Sequence, residues 1–228
     1  MSAPYADALD PAGRRALETV LELLAEERAS VSSVTEPPRA WQVHVDDSLS
    51  GLEVESLASA EKIADIGSGA GFPGLVLAVA LPASRVELIE SVGRKCEFMR
   101  RAIAAAGIEN AEVVNARSEE LAAGSGRERF DAVTARAVGR LSTLAELASP
   151  LLGEGGALIA WKGRRNEEEE LELERAAGAL AMVPERILAV GPYAGSRHRH
   201  LHVMRKSGET PSDLPRRPGM AKKRPRGS

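Results

Sequence analysis

The sequence predicts an α/β fold: a mostly parallel, seven-stranded sheet with helices on both faces, preceded by an N-terminal helical extension. Three observations lead there. From Lys62 onward, short apolar β-runs alternate with helical segments. The first of these runs passes through a glycine-rich turn into a helix. At 228 residues, 43% of them apolar, the chain can bury one substantial core with a short appendage. The expected divisions are a helical extension over residues 1–57, a body over 58–207 and a basic, flexible tail over 208–228.

Asp10-Pro11 offers an N-cap followed by proline, and Leu17, Val20, Leu21 and Leu24 recur at helical spacing, so a first helix should run to about Ala29. Serines and Pro37-Pro38 make residues 30–39 a loop, and Trp41 to Leu57 is weakly helical. Five strands are expected near 62–66, 85–90, 111–115, 130–135 and 155–161, with helices near 74–81, 94–106 and 140–152. Gly107 suits a C-cap, and Gly153 to Gly156 should turn the chain into the fifth strand. A helix rich in Glu, Leu and Ala follows over 166–182, its glutamates near the N-terminus complementing the dipole. Arg186–Val190 and His200–Lys206 supply the last two strands.

Composition narrows the setting. No stretch approaches the roughly 20 apolar residues of a membrane span, and the N-terminus has no basic segment leading into an apolar one, so a soluble, cytoplasmic protein is expected. Cys96 is the only cysteine, which rules out an intrachain disulfide; its place in a helical pattern favours a small core residue over a nucleophile. The net charge of −3 conceals an asymmetry: six basic and no acidic residues follow Leu214, leaving the rest of the chain nine charges negative. Such a tail suits phosphate neutralisation or plain solvation.

The turn runs Asp65-Ile66-Gly67-Ser68-Gly69-Ala70-Gly71-Phe72-Pro73-Gly74, four glycines in eight residues after an apolar strand. Without Cβ atoms the backbone can lie close to a nucleotide-type ligand. Glycines also make tight turns that bind nothing, and Gly69 to Gly74 matches the dinucleotide pattern G-x-G-x-x-G. Register separates the cofactors. Read from the strand end, Asp65 stands two residues before Gly67, where a carboxylate does nothing for a pyrophosphate but suits the ammonium and sulfonium of S-adenosylmethionine. Glu90 closes the next strand, 19 residues after Gly71, placed to accept ribose hydroxyls; NAD enzymes use the same device.

The acceptor is narrowed by what is missing. An exocyclic amine calls for an Asn/Asp-Pro-Pro-aromatic turn after the fourth strand, where this chain has Arg136-Ala137-Val138; pyrimidine C5 calls for a cysteine nucleophile, and Cys96 lies on the wrong element. Guanine N7 has an in-plane lone pair and needs only alignment, so no catalytic base is assigned.

These residues resemble a known family. Asp65 to Gly74 with Phe72-Pro73-Gly74, Glu90-Ser91 before Gly93-Arg94-Lys95, Arg117-Ser118-Glu119-Glu120, Phe130-Asp131 with Arg136-Ala137, and Trp161-Lys162-Gly163 are similar to the ribosomal RNA small subunit methyltransferase G family, also called glucose-inhibited division protein B. The similarity runs from about His44 to Lys206, and Pro215 to Gly219 resembles the tail of its actinobacterial members. It implies a Rossmann-like class I methyltransferase fold and N7 methylation of a guanine in the decoding-region loop of 16S ribosomal RNA. It also implies that Gly67, Phe72, Ser118, Glu119 and Arg136 contact the cofactor, alongside Asp65, Gly69 and Glu90 of the loop and second strand. Phe72 would cover the adenine, and Arg136 would serve either the methionine carboxylate or RNA. Ser30-Val31-Ser32-Ser33 departs from the family's Asn-Leu-Thr/Val-Ser; His44 and Asp47-Ser48 fit its His-x-x-Asp-Ser and, at i and i+3 on a helix, are expected to bond each other.

Lys162, Arg197 and Arg199 are candidates for an RNA-facing edge. His198, His200 and His202 share a strand face, but no carboxylate accompanies them and Arg197, Arg199 and Arg205 would repel a cation, so no metal is expected. The partner is then 16S ribosomal RNA or the small subunit, met by a monomer. Alternatives left open are a methyltransferase for another RNA, a protein or a small molecule, and a non-catalytic adenosine-nucleotide binder.

Overall fold

The computed structural model describes residue 5 and residues 8–27 and 32–228. Helix α1 (Pro11–Glu26) begins where Asp10 accepts the Gly13 N–H at 2.6 Å and proline occupies the first turn. It ends earlier than expected because Glu27 is already extended; residues 28–31, including Ser30 and Val31 of the divergent loop, lie outside the described residues. The weakly helical stretch breaks into short pieces: α2 (Pro37–Ala40), a wide π-turn (Trp41–Asp46), α3 (Asp47–Leu49), a 3₁₀ turn (Ser50–Glu53) and α4 (Glu55–Ala58). Ser48 and Ser50 hydroxyls bond back to the carbonyls of His44 and Asp47, competing with regular helix.

The body follows as β1 (Lys62–Ile66), α5 (Gly74–Ala80), β2 (Arg85–Ile89), α6 (Gly93–Ala106), β3 (Ala111–Val114), α7 (Ser118–Ala122), β4 (Phe130–Arg136), α8 (Leu141–Ala148), β5 (Leu152–Lys162), α9 (Glu167–Ala177), β6 (Met182–Val190), β7 (Arg199–Lys206) and α10 (Met220–Lys223). The seven strands form one sheet in the order β3-β2-β1-β4-β5-β7-β6. β1 to β5 run parallel and β7 runs antiparallel to both its neighbours. The chain reverses winding direction between β1 and β4, so their carboxyl ends open a crevice.

Several elements differ from expectation: α9 ends at Ala177, short of the expected 182, and the short helices α7 and α10 were not expected. β5 starts at Leu152, because the glycines expected as a turn form an irregular strand entry with a register shift opposite Phe130 and Ala132. β6 starts at Met182, since an edge strand tolerates Pro184, which lacks a ladder donor. Helix α8 stops at Ala148, where Ser149 turns its hydroxyl to the Leu180 carbonyl.

Alternation along β1 divides the core. Ile63 packs with α1, α5 and α6 residues such as Leu17, Leu75 and Phe98, while Ala64 and Ile66 pack with α8 and α9 residues such as Leu144 and Leu173. Cys96 is fully buried in the first cluster, as a core residue. The helical extension is continuous with that cluster, through Leu17, Leu24 and Val45.

The basic tail expected to be flexible is folded onto the body. Leu214 and Ala221 are 3% and 2% exposed, and Arg216 grips Glu146 of α8 with both Nε, at 2.6 Å, and Nη2. Composition pointed to a solvated segment; two apolar anchors and a forked ion pair outweigh it.

Candidate active site

The glycine turn is held almost wholly by its own amides. Gly67 and Ser68 donate to the Ile89 carbonyl, Gly71 and Phe72 to the Ser68 carbonyl, Gly69 to Glu90 Oε2 at 3.1 Å and Gly74 to Asp65 Oδ2 at 3.2 Å. Gly67 has φ +65°, and a Cβ there would stand 2.8 Å from Val138 Cγ2. The turn therefore needs glycine for its own shape.

Asp65 is not where the register reading placed it. Its side chain shares the face of Ile63, turned toward α5, and is 0% exposed. Oδ1 accepts from Thr134 at 2.9 Å and Oδ2 from the first amide of α5. Burial is the main influence on its carboxyl and raises its pKa to about 6. Asp65 thus occupies the helix N-terminus, the place where a dinucleotide's pyrophosphate would sit. It disfavours NAD by filling that position, not by facing a cationic ligand.

A cleft of about 460 Å³ opens at the carboxyl ends of β1 and β2, lined by Ile66, Gly67, Glu90, Ser118, Glu119 and Val138 among others. Glu90 accepts through Oε2 from Gly69 and through Oε1 from Val92 at 2.9 Å, which fixes the carboxylate and leaves each oxygen a lone pair toward the cleft. Ser118 and Glu119 open α7, and the Ser118 hydroxyl lies 3.2 Å from Glu119 Oε2. Of the candidate cofactor residues, Gly67, Glu90, Ser118 and Glu119 come together here. Asp65, Gly69, Phe72 and Arg136 are not part of this lining. Gly69 acts through its hydrogen bond to Glu90.

Phe72 and Arg136 belong to the junction with the extension. Phe72 stacks on His44, with centroids 4.5 Å apart and planes 11° apart, so it covers a histidine, not the cleft. Arg136 Nη1 donates to Asp47 Oδ2 and to the Val43 carbonyl, both at 3.0 Å. His44 and Asp47 do not bond each other as expected; both turn to Arg136, while His44 Nε2 meets the Val34 carbonyl at 2.9 Å. Burial lowers the His44 pKa, keeping its ring neutral beside the guanidinium.

A second hollow, about 210 Å³, lies across residues 136–139 from the first, lined by Asp47, Arg136, Trp161, Lys162, Arg199 and His200 among others. Lys162 and Arg199 meet there, Lys162 paired with Glu169 at 2.6 Å and Arg199 with the Tyr193 hydroxyl at 3.2 Å. Asp47 Oδ1 and Arg199 Nε are buried without a hydrogen-bond partner, 3.7 Å apart. Arg197 stays exposed and lines neither hollow. The histidines go separate ways: His200 Nδ1 to the Gly163 carbonyl, His198 Nε2 to Arg164, His202 into the sheet. Among the described residues no group of metal-ligating side chains converges.

A family model described as rRNA small subunit methyltransferase G matches residues 15–201. The chain belongs to this family. Relatives of that description include a protein of Rubrobacter xylanophilus, 42% identical over 95% of this chain and 88% of its own, and one of Pelotomaculum thermopropionicum, 39% identical over 92% and 90%. Among solved structures, a fibrillarin pre-rRNA processing protein of Methanococcus jannaschii matches at TM-score 0.56 and 18% identity over 72% of this chain and 74% of its own. An S-adenosylmethionine-dependent O-methyltransferase of Thermotoga maritima matches at TM-score 0.58 and 12% identity, over 83% and 72%. The fold is the Rossmann-like class I methyltransferase fold.

Sequence reading missed Asp47 as a wall of the second hollow, and Gly219, Ala221, Lys222 and Lys223 as walls of the first. The His-x-x-Asp-Ser pattern pointed to Asp47. For the tail residues only the resemblance of Pro215 to Gly219 was a signal.

Proposed function

We propose that this chain is an S-adenosylmethionine-dependent enzyme that methylates N7 of a guanine in the decoding-region loop of 16S ribosomal RNA. Family membership supports the reaction class. The observation that carries the cofactor is Glu90, a carboxylate locked by two amides at the mouth of a glycine turn whose Gly67, Ser68, Gly71, Phe72 and Gly74 amides are engaged within the protein.

The residues present fit the group. Glu90 would accept the ribose hydroxyls, Ser118 and Glu119 would meet the adenine edge, and Gly67 lets the ligand lie against the strand end. When bound, the cofactor supplies an electrophilic methyl on its sulfonium. The chain's own contribution is to hold and orient. The second hollow, with Arg136, Lys162 and Arg199, receives the nucleotide and balances its phosphate, and residues 136–139 separate the two ligands. Because N7 presents its lone pair unprotonated, alignment and water exclusion suffice, and no side chain needs to take a proton.

No helix of the described residues is long and apolar enough to cross a membrane, and we take the enzyme as a cytoplasmic monomer. Incubating the purified protein with 16S ribosomal RNA and isotopically labelled S-adenosylmethionine tests the proposal. Label recovered as 7-methylguanosine is the expected result; label on another atom, or none, contradicts it.

A further inference from the structure

We infer that residues 214–228 are a strap that completes the adenosine end of the cofactor cleft, with Arg216 and Gly219 as positioning residues for Glu119. The inference rests on the cofactor reading above. Four tail residues, Gly219, Ala221, Lys222 and Lys223, stand in the wall of the cleft beside Glu90, Ser118 and Glu119. The contact is specific. The Gly219 amide donates to Glu119 Oε1 at 2.7 Å, while Glu119 Oε2 faces the Ser118 hydroxyl. Gly219 has φ +82° and is the N-cap of α10, a left-handed position that suits glycine. Thr143 of α8 donates to the Ala221 carbonyl at 3.3 Å, closing the strap against the far wall.

The strap is anchored at points outside the cleft. Arg127 holds the Leu214 carbonyl at 3.0 Å, and Leu214 is buried beneath α8 and α9 residues. Arg216 is the central clamp: its guanidinium binds Glu146 and also donates to the Arg224 carbonyl at 2.8 Å, tying both ends of α10 together. Arg226 pairs with Asp213, and Arg175 donates to the Gly227 carbonyl at 3.2 Å. Of the six basic tail residues, Arg216 and Arg226 are thus used internally. Arg217, Lys222, Lys223 and Arg224 have no ion pair among the described residues.

On this inference, removal of the tail weakens cofactor binding. Without Gly219, Glu119 loses the donor that holds one oxygen, and the cleft loses one wall. A structural tail on the far side of the molecule would leave the cleft unchanged.

The test titrates S-adenosylhomocysteine calorimetrically into the full chain, the 214–228 deletion, Arg216→Ala and Arg216→Lys, and records the melting temperature of each without ligand. Affinity should fall at least tenfold in the deletion and in Arg216→Ala, with partial recovery in Arg216→Lys, which keeps one charged hydrogen bond to Glu146. Equal affinity of Arg216→Ala and the intact chain overturns the strap. Should the deletion fail to fold, trypsin cleavage after Lys222 and Lys223 of the intact chain provides the second measurement. Saturating S-adenosylhomocysteine should slow it at least fivefold, and unchanged cleavage overturns the inference. An intact chain that does not bind the ligand rejects the cofactor reading itself.

Discussion

Arg136, at the last position of β4, donates to Asp47 across 3.0 Å and so joins the sheet's catalytic edge to the N-terminal extension. Both side chains are largely buried, and the Phe72–His44 stack packs against the guanidinium. Removing one partner leaves a buried charge unmatched. Asp47→Ala should lower stability by about 3 kcal/mol. The double variant Asp47→Ala with Arg136→Met should lose less than the sum of the single losses. Urea unfolding of the four proteins measures the coupling, and additive losses would show that the pair does not connect the two parts.

Glu90 offers a direct test of the cleft. Glu90→Gln keeps one acceptor oxygen but presents an NH₂ to one of the two amides that now donate to the carboxylate. S-adenosylhomocysteine should bind about tenfold more weakly, about 1.4 kcal/mol. Binding within twofold of the parent would remove Glu90 from the site.

Two glycines with similar torsions should respond differently. Gly67 and Gly69 have φ +65° and +62°, but an added Cβ meets Val138 at 2.8 Å in the first case and nothing nearer than 3.8 Å in the second. Gly69→Ala should cost about 1 kcal/mol, the left-handed penalty alone. Gly67→Ala adds a clash and should cost about 3 kcal/mol. Equal losses would mean that Val138 moves aside freely.

Asp65 predicts a pH dependence. Burial raises its folded-state pKa from 3.8 to about 6. Between those values the native state binds more protons than the unfolded chain, so this group makes stability fall as pH rises through the window. The total is about 3 kcal/mol, complete above the folded pKa and absent below the unfolded one. Relative to the parent, Asp65→Asn should gain stability from pH 4 to pH 7. Denaturant unfolding at each pH measures the difference between the two proteins, and parallel profiles would contradict it.

Arg199 should act on RNA and not on the cofactor. Arg199→Ala is expected to weaken ribosomal RNA binding and reduce the slope of log affinity against log salt by about one. Filter binding across a salt series reads both quantities, and an unchanged slope would place Arg199 away from the phosphates.

The fold was legible because the central strands β1, β4 and β5, buried on both faces over most of their length, read as near-continuous apolar runs between helical segments. Glu90 was legible because it closes a strand whose carboxyl end faces the crevice at a topological switch, whereas Ser118 and Glu119 open a helix with no periodic signal and were marked only by the family resemblance. Asp65 was misplaced for want of a parity check: the residue after Ala64 and before Ile66 faces α5, whatever its distance from Gly67. Phe72 and Arg136 escaped because their partners, His44 and Asp47, come from a segment nearly thirty and nearly ninety residues away. The tail was opaque for a compositional reason. Its charges resemble those of a solvated segment, while its order depends on Leu214, Ala221 and a glutamate of α8 some seventy residues earlier.

Mapping 7-methylguanine in the small-subunit ribosomal RNA of cells with and without this protein, by cleavage at the modified base, tests the proposed activity in the cell. One decoding-region guanine should be methylated in the parent, unmethylated in the deletion, and restored by the intact chain but not by Glu90→Gln at limiting S-adenosylmethionine. An identical map in both strains would contradict it.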